Sequence, residues 1–478
     1  MRLRLSGLLP KGDLARGITV AAGGTALSQV LMVGASPILT RLYSPADFGT
    51  MAVFSSIIAI LIVNVSWRYE MAIPLARDSK TATNLLVMAL FMVVMMAIVY
   101  GLGIAWLSER IIQWARAPAL YHFLWLLPVT LAVAGFYQAF SFWSSRRKQF
   151  ALISYTRCWQ AFGQVSIQLA GGMLGWGAAG LIFGAIASQI LGVTSLIRRA
   201  QLERKLISWS RWPELLRQYR NFPLFTAWAS LVNIVGTQSP PLLFASFFAL
   251  DTAGYFALAI RVLGIPAMLV GVAVSQVFYP IVAANQDDAG LACQMVKRVA
   301  TGLFIVSFPV FTLLGLYGIP LFQLAFGTAW QVAGYYAQYL AVTYGLWLVA
   351  SPLSSFALVK GRQAESLLRQ LAETTLRIGA ILLGSRLSSP DLAVLFFTLA
   401  GTIISLVNLG WYFQLAGTSL LAWLGEIRVQ LAGSIFLLVI LSALRYLLPI
   451  GPALLVSGAG IILFGTLSWR AIAPRSHG

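Results

Sequence analysis

The chain has 478 residues, of which 59% are hydrophobic and 10% are charged, and its net charge is +19 at pH 7. Soluble domains carry about 25% charged residues, so this composition excludes an ordinary soluble protein. The apolar residues form runs of about twenty, the length at which a helix crosses a hydrocarbon core about 30 Å thick. These runs do not alternate in polarity as the strands of a membrane barrel do. We therefore expect an all-α polytopic membrane protein.

Fourteen apolar stretches are candidate spans, and an even number places both termini on the same side of the membrane. They lie near 17–40, 48–67, 82–105, 119–143, 151–173, 176–197, 223–247, 252–281, 299–321, 333–358, 366–386, 391–413, 429–448 and 452–470. The basic first residues lack an apolar core with a cleavage site, so we expect no cleaved signal peptide. Two cysteines and two histidines are too few for a disulfide framework or a zinc site.

The basic residues are distributed unequally between the two sides. If the spans alternate in direction, 25 of the 33 Lys and Arg residues fall on the side of the termini and five fall on the other side. The positive-inside rule then places both termini in the cytoplasm. We interpret the basic excess as a topology signal rather than a nucleic-acid surface, and we expect a multi-pass membrane protein with cytoplasmic termini.

The longest polar stretch divides the chain nearly in two. This segment, 198–222, is rich in Trp, Leu and Arg, which suits a helix lying on anionic lipid headgroups. An ordinary basic linker has the same composition, and both interpretations stay open. The predicted organisation is an N-terminal lobe of spans 1–6 (1–197), this cytoplasmic linker, a C-terminal lobe of spans 7–12 (223–413), and two further spans with a cytoplasmic tail (414–478).

Two segments of the chain resemble each other. One begins at Pro37 and the other at Pro241, and each continues with an acidic turn, a glycine and a new apolar helix. The acidic residue and the glycine are Asp47 and Gly49 in the first segment, and Asp251 and Gly254 in the second. Chance similarity between apolar segments is the alternative. Repeats that start on the same side imply a pseudo-two-fold axis along the membrane normal and two lobes that rock about a cavity.

A specific family resemblance lies in the stretch from Thr40 to Asp78, which reads TRLYSPADFGTMAVFSSIIAILIVNVSWRYEMAIPLARD. It resembles the opening of bacterial polysaccharide (O-antigen) flippases of the Wzx type. In that family an arginine-leucine-tyrosine-serine-proline turn precedes an acidic-aromatic-glycine step, and the second span closes on arginine-tyrosine-glutamate. Arg68, Tyr69 and Glu70 match that ending here.

The resemblance extends weakly to Asp251–Ile260 and to the order of twelve spans. It implies the multidrug/oligosaccharidyl-lipid/polysaccharide exporter superfamily, with two six-helix lobes related by a pseudo-two-fold axis. The last two spans resemble the extra pair found in the lipid II flippase branch. For this chain it implies a flippase, not an enzyme, that moves undecaprenyl-diphosphate-linked oligosaccharide to the periplasmic leaflet by alternating access. The product would be O-antigen, capsule or exopolysaccharide.

The same resemblance implies the partners. They are the lipid-linked oligosaccharide, anionic lipids, and a polysaccharide polymerase with its export machinery, and no nucleic acid is expected. The sequence has no phosphate-binding loop, zinc-spaced ligand set or nucleophile elbow. We therefore expect no cofactor. An ion gradient of H⁺ or Na⁺ is one possible source of energy, and the sequence does not identify the ion.

Charges inside spans are candidates for function, because each costs several kcal/mol unless it is hydrated or paired. Arg261 lies near the middle of the eighth span and has no carboxylate within one helical turn. We expect it to line a cavity and contact the anionic substrate, with structural pairing as the alternative. Asn64 and Arg68 are predicted to share a face of the second span. Arg68 has two further alternatives, snorkelling to the interface or pairing with Glu70.

Two polar lines are further candidates. Steps of three, four and four residues place one line on a single helix face, and its members are Arg157, Gln160, Gln164 and Gln168. Asn233 belongs to a similar line on the seventh span. Either line faces a cavity or hydrogen-bonds to a neighbouring helix.

Glu373 and Arg377 have the spacing of a helical ion pair, and a titrating Glu373 is also a candidate for ion coupling. Two other functions are possible. A cation-coupled multidrug antiporter of the same superfamily needs buried carboxylates, of which Glu373 is the only candidate in the middle of a span. A membrane-embedded sugar polymerase needs a long outer loop with catalytic residues, and the predicted outer loops are short.

Overall fold

The structure, a computed structural model, describes residues 13–115, 120–202, 204–285 and 288–472. Fourteen long helices account for most of this part of the chain, and it contains no strand. They are α1 (Asp13–Gly34), α2 (Pro45–Leu61), α3 (Ser79–Ala115), α4 (Leu127–Arg146), α5 (Phe150–Met173), α6 (Ala178–Arg198), α7 (Ala227–Phe247), α8 (Leu250–Ala284), α9 (Ala289–Phe326), α10 (Gln331–Val359), α11 (Gln363–Arg386), α12 (Pro390–Leu415), α13 (Arg428–Leu447) and α14 (Ile450–Ile472).

Shorter helices lie between the long ones. Four are α-helical: Ser36–Leu42, Tyr121–Leu124, Trp212–Gln218 and Leu420–Glu426. Five are 3₁₀ helices: Ile62–Asn64, Tyr69–Leu75, Arg204–Leu206, Trp209–Arg211 and Thr328–Trp330. One turn of π-helix, Phe222–Thr226, leads into α7.

Each predicted span overlaps one long helix, so the all-α fold is confirmed, although the first two spans extend past α1 and α2 into the short helices Ser36–Leu42 and Ile62–Asn64. Among the described residues, eight segments are long and apolar enough to cross a membrane. That all fourteen helices cross stays a prediction. The basic residues up to Lys11, Arg116 and the tail beyond Ile472 lie outside the described residues.

The acidic turn of the first repeat segment is the N-terminal cap of α2. The backbone N–H of Asp47 donates to the hydroxyl of Ser44 (3.2 Å), and the backbone N–H of Ser44 donates to the Asp47 carboxylate (2.9 Å). Pro45 occupies the first helical position, where its missing N–H costs nothing. This capping box is why the tyrosine-serine-proline-alanine-aspartate sequence starts a helix at this point.

The two repeat segments meet at their glycines. A Cβ atom at Gly49 would lie 1.9 Å from the carbonyl oxygen of Leu250, and one at Gly254 would lie 2.0 Å from that of Pro45. The contacts are reciprocal, since each glycine faces the first residue of the helix that carries the other glycine. Only residues without a Cβ allow the starts of α2 and α8 to approach so closely.

The chain forms two compact units, one up to Ala257 and one from Leu258. In the first unit α5 packs against α1 and α6, α4 packs against α3 and α6, and α2 packs against α6 and α7. The division falls inside α8, and the predicted lobe limits at the basic linker stay a prediction.

In the second unit α9 packs against α10, α10 against α12, and α11 against α12. The last two helices, α13 and α14, pack on each other and on α9. Tyr317 ties the three helices together, because its hydroxyl donates to the carbonyl of Leu441 (3.0 Å) and accepts from the Ser457 hydroxyl (3.1 Å). Tyr317 is also where α9 kinks, at φ −116° and ψ 17°.

Candidate functional site

The second predicted span is not a continuous helix. The α-helix ends at Leu61, a 3₁₀ turn covers Ile62–Asn64, and Trp67 and Arg68 have positive φ angles of 52° and 63°. The left-handed region costs about 1–2 kcal/mol for residues other than glycine, so the surrounding contacts must hold this conformation. The prediction that Asn64 and Arg68 share one helix face is therefore wrong, since no helix joins them.

The break places Arg68 beside a buried carboxylate. Glu70 is fully buried, and its carboxylate accepts hydrogen bonds from the Ser66 hydroxyl and from Nε2 of Gln138 (2.9 Å). The Arg68 guanidinium lies 3.7 Å from it, which is the pairing offered as one alternative. Burial raises the pKa of Glu70, while the hydrogen bond from Ser66 and the charge of Arg68 lower it.

Arg146 holds the irregular segment from the other side. Its guanidinium donates to the carbonyl of Ile73 (3.3 Å) and to that of Ala76, at the end of the 3₁₀ helix Tyr69–Leu75. The Ile73 carbonyl also accepts from the backbone N–H of Ala76 (3.4 Å), so the guanidinium adds a second donor there and caps the end of the 3₁₀ helix. The sequence predicted for Arg146 only a contribution to the topology. The loss of helical periodicity before Pro74 indicates an irregular segment, but it does not identify Arg146 as the partner of that segment.

The polar line of α5 lies largely against other helices. Gln160 and Gln168 are buried, and Nε2 of Gln168 donates to the carbonyl of Leu181 in α6 (3.0 Å). Gln164 is half-buried. Arg157 is exposed and donates to the Thr25 hydroxyl of α1.

Glycines of α6 make room for this line. A Cβ atom at Gly192 would meet the amide of Gln160, and one at Gly184 would meet the side chain of Gln168. Small residues at such positions let membrane helices approach closely. This packing supports the interhelical alternative for Gln160 and Gln168, and contact of the line with substrate stays a prediction.

Arg261 is half-buried and is the twelfth residue of α8. It has no ion-pair partner among the residues that the structure describes. On α7, Asn233 is exposed. Both side chains are thus free to contact a ligand, and such contacts stay predictions.

Glu373 and Arg377 form the predicted ion pair, with 2.7 Å between the charged groups. The Arg377 guanidinium also lies over the ring of Phe397, 5.3 Å from its centroid. About two turns before Arg377 on α11, the Arg369 guanidinium lies 4.3 Å from the centroid of Trp411. This polar face of α11 is therefore packed against aromatic rings of α12, and cation–π contacts help to neutralise its charges.

The sequence matches one protein family and is similar to two individual proteins. The polysaccharide biosynthesis protein family matches residues 38–334. Lipopolysaccharide biosynthesis protein WzxC of Escherichia coli is 27% identical over 250 residues, covering 51% of this chain and 47% of that protein. Teichuronic acid biosynthesis protein TuaB of Bacillus subtilis is 27% identical over 149 residues, covering 31% of this chain and 30% of that protein. The chain thus aligns with less than half the length of each of these relatives.

Two solved structures resemble the whole chain. The lipid II flippase MurJ in an inward closed conformation has a TM-score of 0.76 at 12% identity, covering 94% of this chain and 98% of MurJ. An inward-facing multidrug resistance MATE family transporter of the MOP superfamily has a TM-score of 0.64 at 13% identity, covering 81% of this chain and 94% of that transporter. The chain therefore has the fold of these multi-helix membrane proteins.

Proposed function

Because the chain belongs to the polysaccharide biosynthesis protein family, we propose that it is a flippase for undecaprenyl-diphosphate-linked oligosaccharide. It moves this glycolipid from the cytoplasmic to the periplasmic leaflet by alternating access, for the export of O-antigen, capsule or exopolysaccharide. Both termini lie in the cytoplasm, and the protein resides in the bacterial inner membrane.

The observation that carries the proposal is the balance of charge inside the spans. Arg261 has no ion pair among the described residues, and Arg157 contacts the hydroxyl of Thr25. Glu373, the carboxylate in the middle of a predicted span, is neutralised by Arg377 at 2.7 Å. The uncompensated charge inside the predicted spans is therefore positive. This favours an anionic cargo such as a diphosphate, because a buried charge is stabilised by an opposite charge.

We assign phosphate or acidic-sugar contacts to each of the three arginines, Arg68, Arg157 and Arg261, at some stage of translocation. An arginine suits this role because its planar guanidinium binds phosphate oxygens in pairs. Polar amides recognise sugar hydroxyls by accepting and donating hydrogen bonds. That role is assigned to Asn64, Gln164 and Asn233, whereas Gln160 and Gln168 pack against α6.

The energy source is proposed to be an ion gradient or the flux of substrate. Glu373 is the candidate for H⁺ or Na⁺ coupling, with Arg377 as its counter-charge when no ion is bound. A cation antiporter is the rival function. It needs a carboxylate free to bind its cargo, and the pairing of Glu373 with Arg377 argues against it.

The test is the removal of the three positive charges. The protein is reconstituted into liposomes with a fluorescent undecaprenyl-diphosphate oligosaccharide, and its transbilayer movement is followed by quenching from outside. We expect Arg68→Gln, Arg157→Gln and Arg261→Gln together to abolish movement, with Arg261→Gln having the largest single effect. Arg386→Gln, at an exposed arginine where α11 ends, is the matched control. Undiminished movement in the triple variant would refute the proposal.

A further inference from the structure

A cavity of about 280 Å³ lies between the start of α5 and the end of α6. It contains none of the residues assigned to the flipped substrate. The residues around it are Leu152, Tyr155 and Trp159 of α5, with Leu191, Arg198 and Arg199 at the end of α6.

The lining is divided by polarity. Arg198 and Arg199 are exposed, and neither forms an ion pair among the described residues. Tyr155 and Trp159 follow one and two turns into α5, and leucines complete the apolar part. A pair of positive charges thus stands at the mouth of a largely apolar cavity.

Aromatic side chains beside the cavity are exposed. Tyr155, Trp159 and Phe162 form an exposed aromatic row along α5, with ring centroids 6.1 Å and 5.7 Å apart. A neighbouring face of the helix packs on α1, where Ser154 lies against Gly24. Exposed Trp and Tyr side chains near the end of a membrane helix are typical of the headgroup level, because their rings have an apolar body and a polar edge.

The backbone that carries the two arginines is fixed in place. The carbonyl of Ala200, the residue after Arg199, accepts hydrogen bonds from Nε1 of Trp143 (2.8 Å) and from the Arg147 guanidinium (2.9 Å). The Arg147 side chain also donates to the amide oxygen of Gln201 (2.8 Å). The end of α6 is therefore held against α4, and the charged mouth is pre-organised rather than formed on binding.

We propose that this cavity binds the phosphodiester headgroup of an acidic glycerophospholipid such as phosphatidylglycerol. The phosphate lies between the guanidinium groups of Arg198 and Arg199, and the glycerol and the first acyl carbons lie on Tyr155, Trp159 and the leucines. Basic pockets between membrane helices bind acidic lipid headgroups for this reason, and guanidinium–phosphate hydrogen bonds are among the stronger ones. The inference does not depend on the proposed flippase function.

The lining favours a phospholipid over the diphosphate of a glycolipid. An oligosaccharide needs donors and acceptors for its hydroxyls, yet the neutral polar side-chain groups around the cavity are only the hydroxyls of Ser195 and Tyr155 and the indole N–H of Trp159. The Ser195 hydroxyl already donates to the carbonyl of Leu191 (2.8 Å). The cavity therefore has a site for the phosphate but few partners for a sugar chain.

Native mass spectrometry of the purified full chain tests the proposal. Dioleoyl-phosphatidylglycerol is titrated against dioleoyl-phosphatidylcholine, and the number and affinity of retained lipids are measured. We expect one preferred phosphatidylglycerol, bound at least tenfold more weakly by Arg198→Gln/Arg199→Gln. Arg217→Gln/Arg220→Gln removes the same charge from exposed arginines of the linker and leaves the affinity unchanged. Trp159→Leu weakens binding severalfold, whereas Trp106→Leu, at a Trp that is 85% exposed, does not.

The competing results are distinct. Equal loss in the two double-arginine variants would overturn the proposal, because binding would follow surface charge alone. Displacement of the lipid by millimolar inorganic phosphate would mean that the site takes a free anion. Stronger retention of undecaprenyl diphosphate than of phosphatidylglycerol would make the cavity a substrate site, and would also overturn the assignment.

Discussion

The crossing of α2 and α8 at Gly49 and Gly254 predicts a strong effect of a single methyl group. In Gly254→Ala the new Cβ lies 2.0 Å from the Pro45 carbonyl oxygen, whereas real Cβ contacts do not fall under 3.0 Å. The two helix starts must therefore separate by about 1 Å or distort. Overpacking of this kind costs about 1–3 kcal/mol, which corresponds to roughly a 5- to 150-fold change in an equilibrium constant at 1.36 kcal/mol per tenfold.

The matched control lies in the same helix. Gly264 has nothing within 4 Å of its Cβ position, so Gly264→Ala changes only helix propensity and gains about 0.5–1 kcal/mol. Thermal unfolding of the two purified variants in the same detergent separates the cost of the steric clash from the change in helix propensity. We expect Gly254→Ala to unfold at a lower temperature than the wild type, and Gly264→Ala at the same or a higher one. Equal midpoints for the two variants would refute the close crossing.

Three further predictions concern the N-terminal unit. Glu70→Ala leaves the amide of Gln138 without its acceptor, so it destabilises by about 1–3 kcal/mol, and Glu70→Gln costs less in detergent unfolding. Burial raises the pKa of Glu70. The wild type is therefore most stable relative to Glu70→Gln below pH 4.5, and this difference in unfolding free energy is lost as the pH rises through the folded-state pKa. A difference in unfolding free energy that does not change with pH would contradict this. Tyr43→Phe removes the 2.5 Å hydrogen bond to the carbonyl of Gln168 and costs about 1 kcal/mol, measured in the same way. In a cysteine-free background, Ser208→Cys reacts with an impermeant maleimide only after spheroplasts are opened. Labelling of intact spheroplasts would mean that Ser208 lies on the outer side of the membrane.

The helices could be predicted from the sequence because one physical requirement, crossing a bilayer, determines which residues they contain. A segment that crosses a bilayer must satisfy its backbone internally and present apolar side chains, so runs such as 391–413 coincide with a helix, here Pro390–Leu415. The capping sequence at Ser44 and the paired glycines are local signals of the same kind. The paired glycines predicted that the two repeat segments are equivalent, although only the structure showed that the two glycines are in contact.

The predictions about the site went less far because they depend on contacts between distant parts of the chain. The irregular segment that follows Leu61 is held at its far end by Arg146, which lies 73 and 70 residues beyond the two carbonyls that it binds, and no local pattern identifies that partner. The buried state of Glu70 likewise depends on Gln138 of another helix. Periodicity placed Gln168 on one face of α5 but did not show that this face packs on α6.

The central claim is that the chain flips an anionic glycolipid. The most direct measurement follows a fluorescent undecaprenyl-diphosphate oligosaccharide and a cationic drug in parallel proteoliposomes, each compared with protein-free liposomes. We expect transbilayer movement of the glycolipid and none of the drug, and we expect the movement to collapse in Arg261→Ala. Transport of the drug with an immobile glycolipid would contradict it, and would make Glu373 the next residue to substitute.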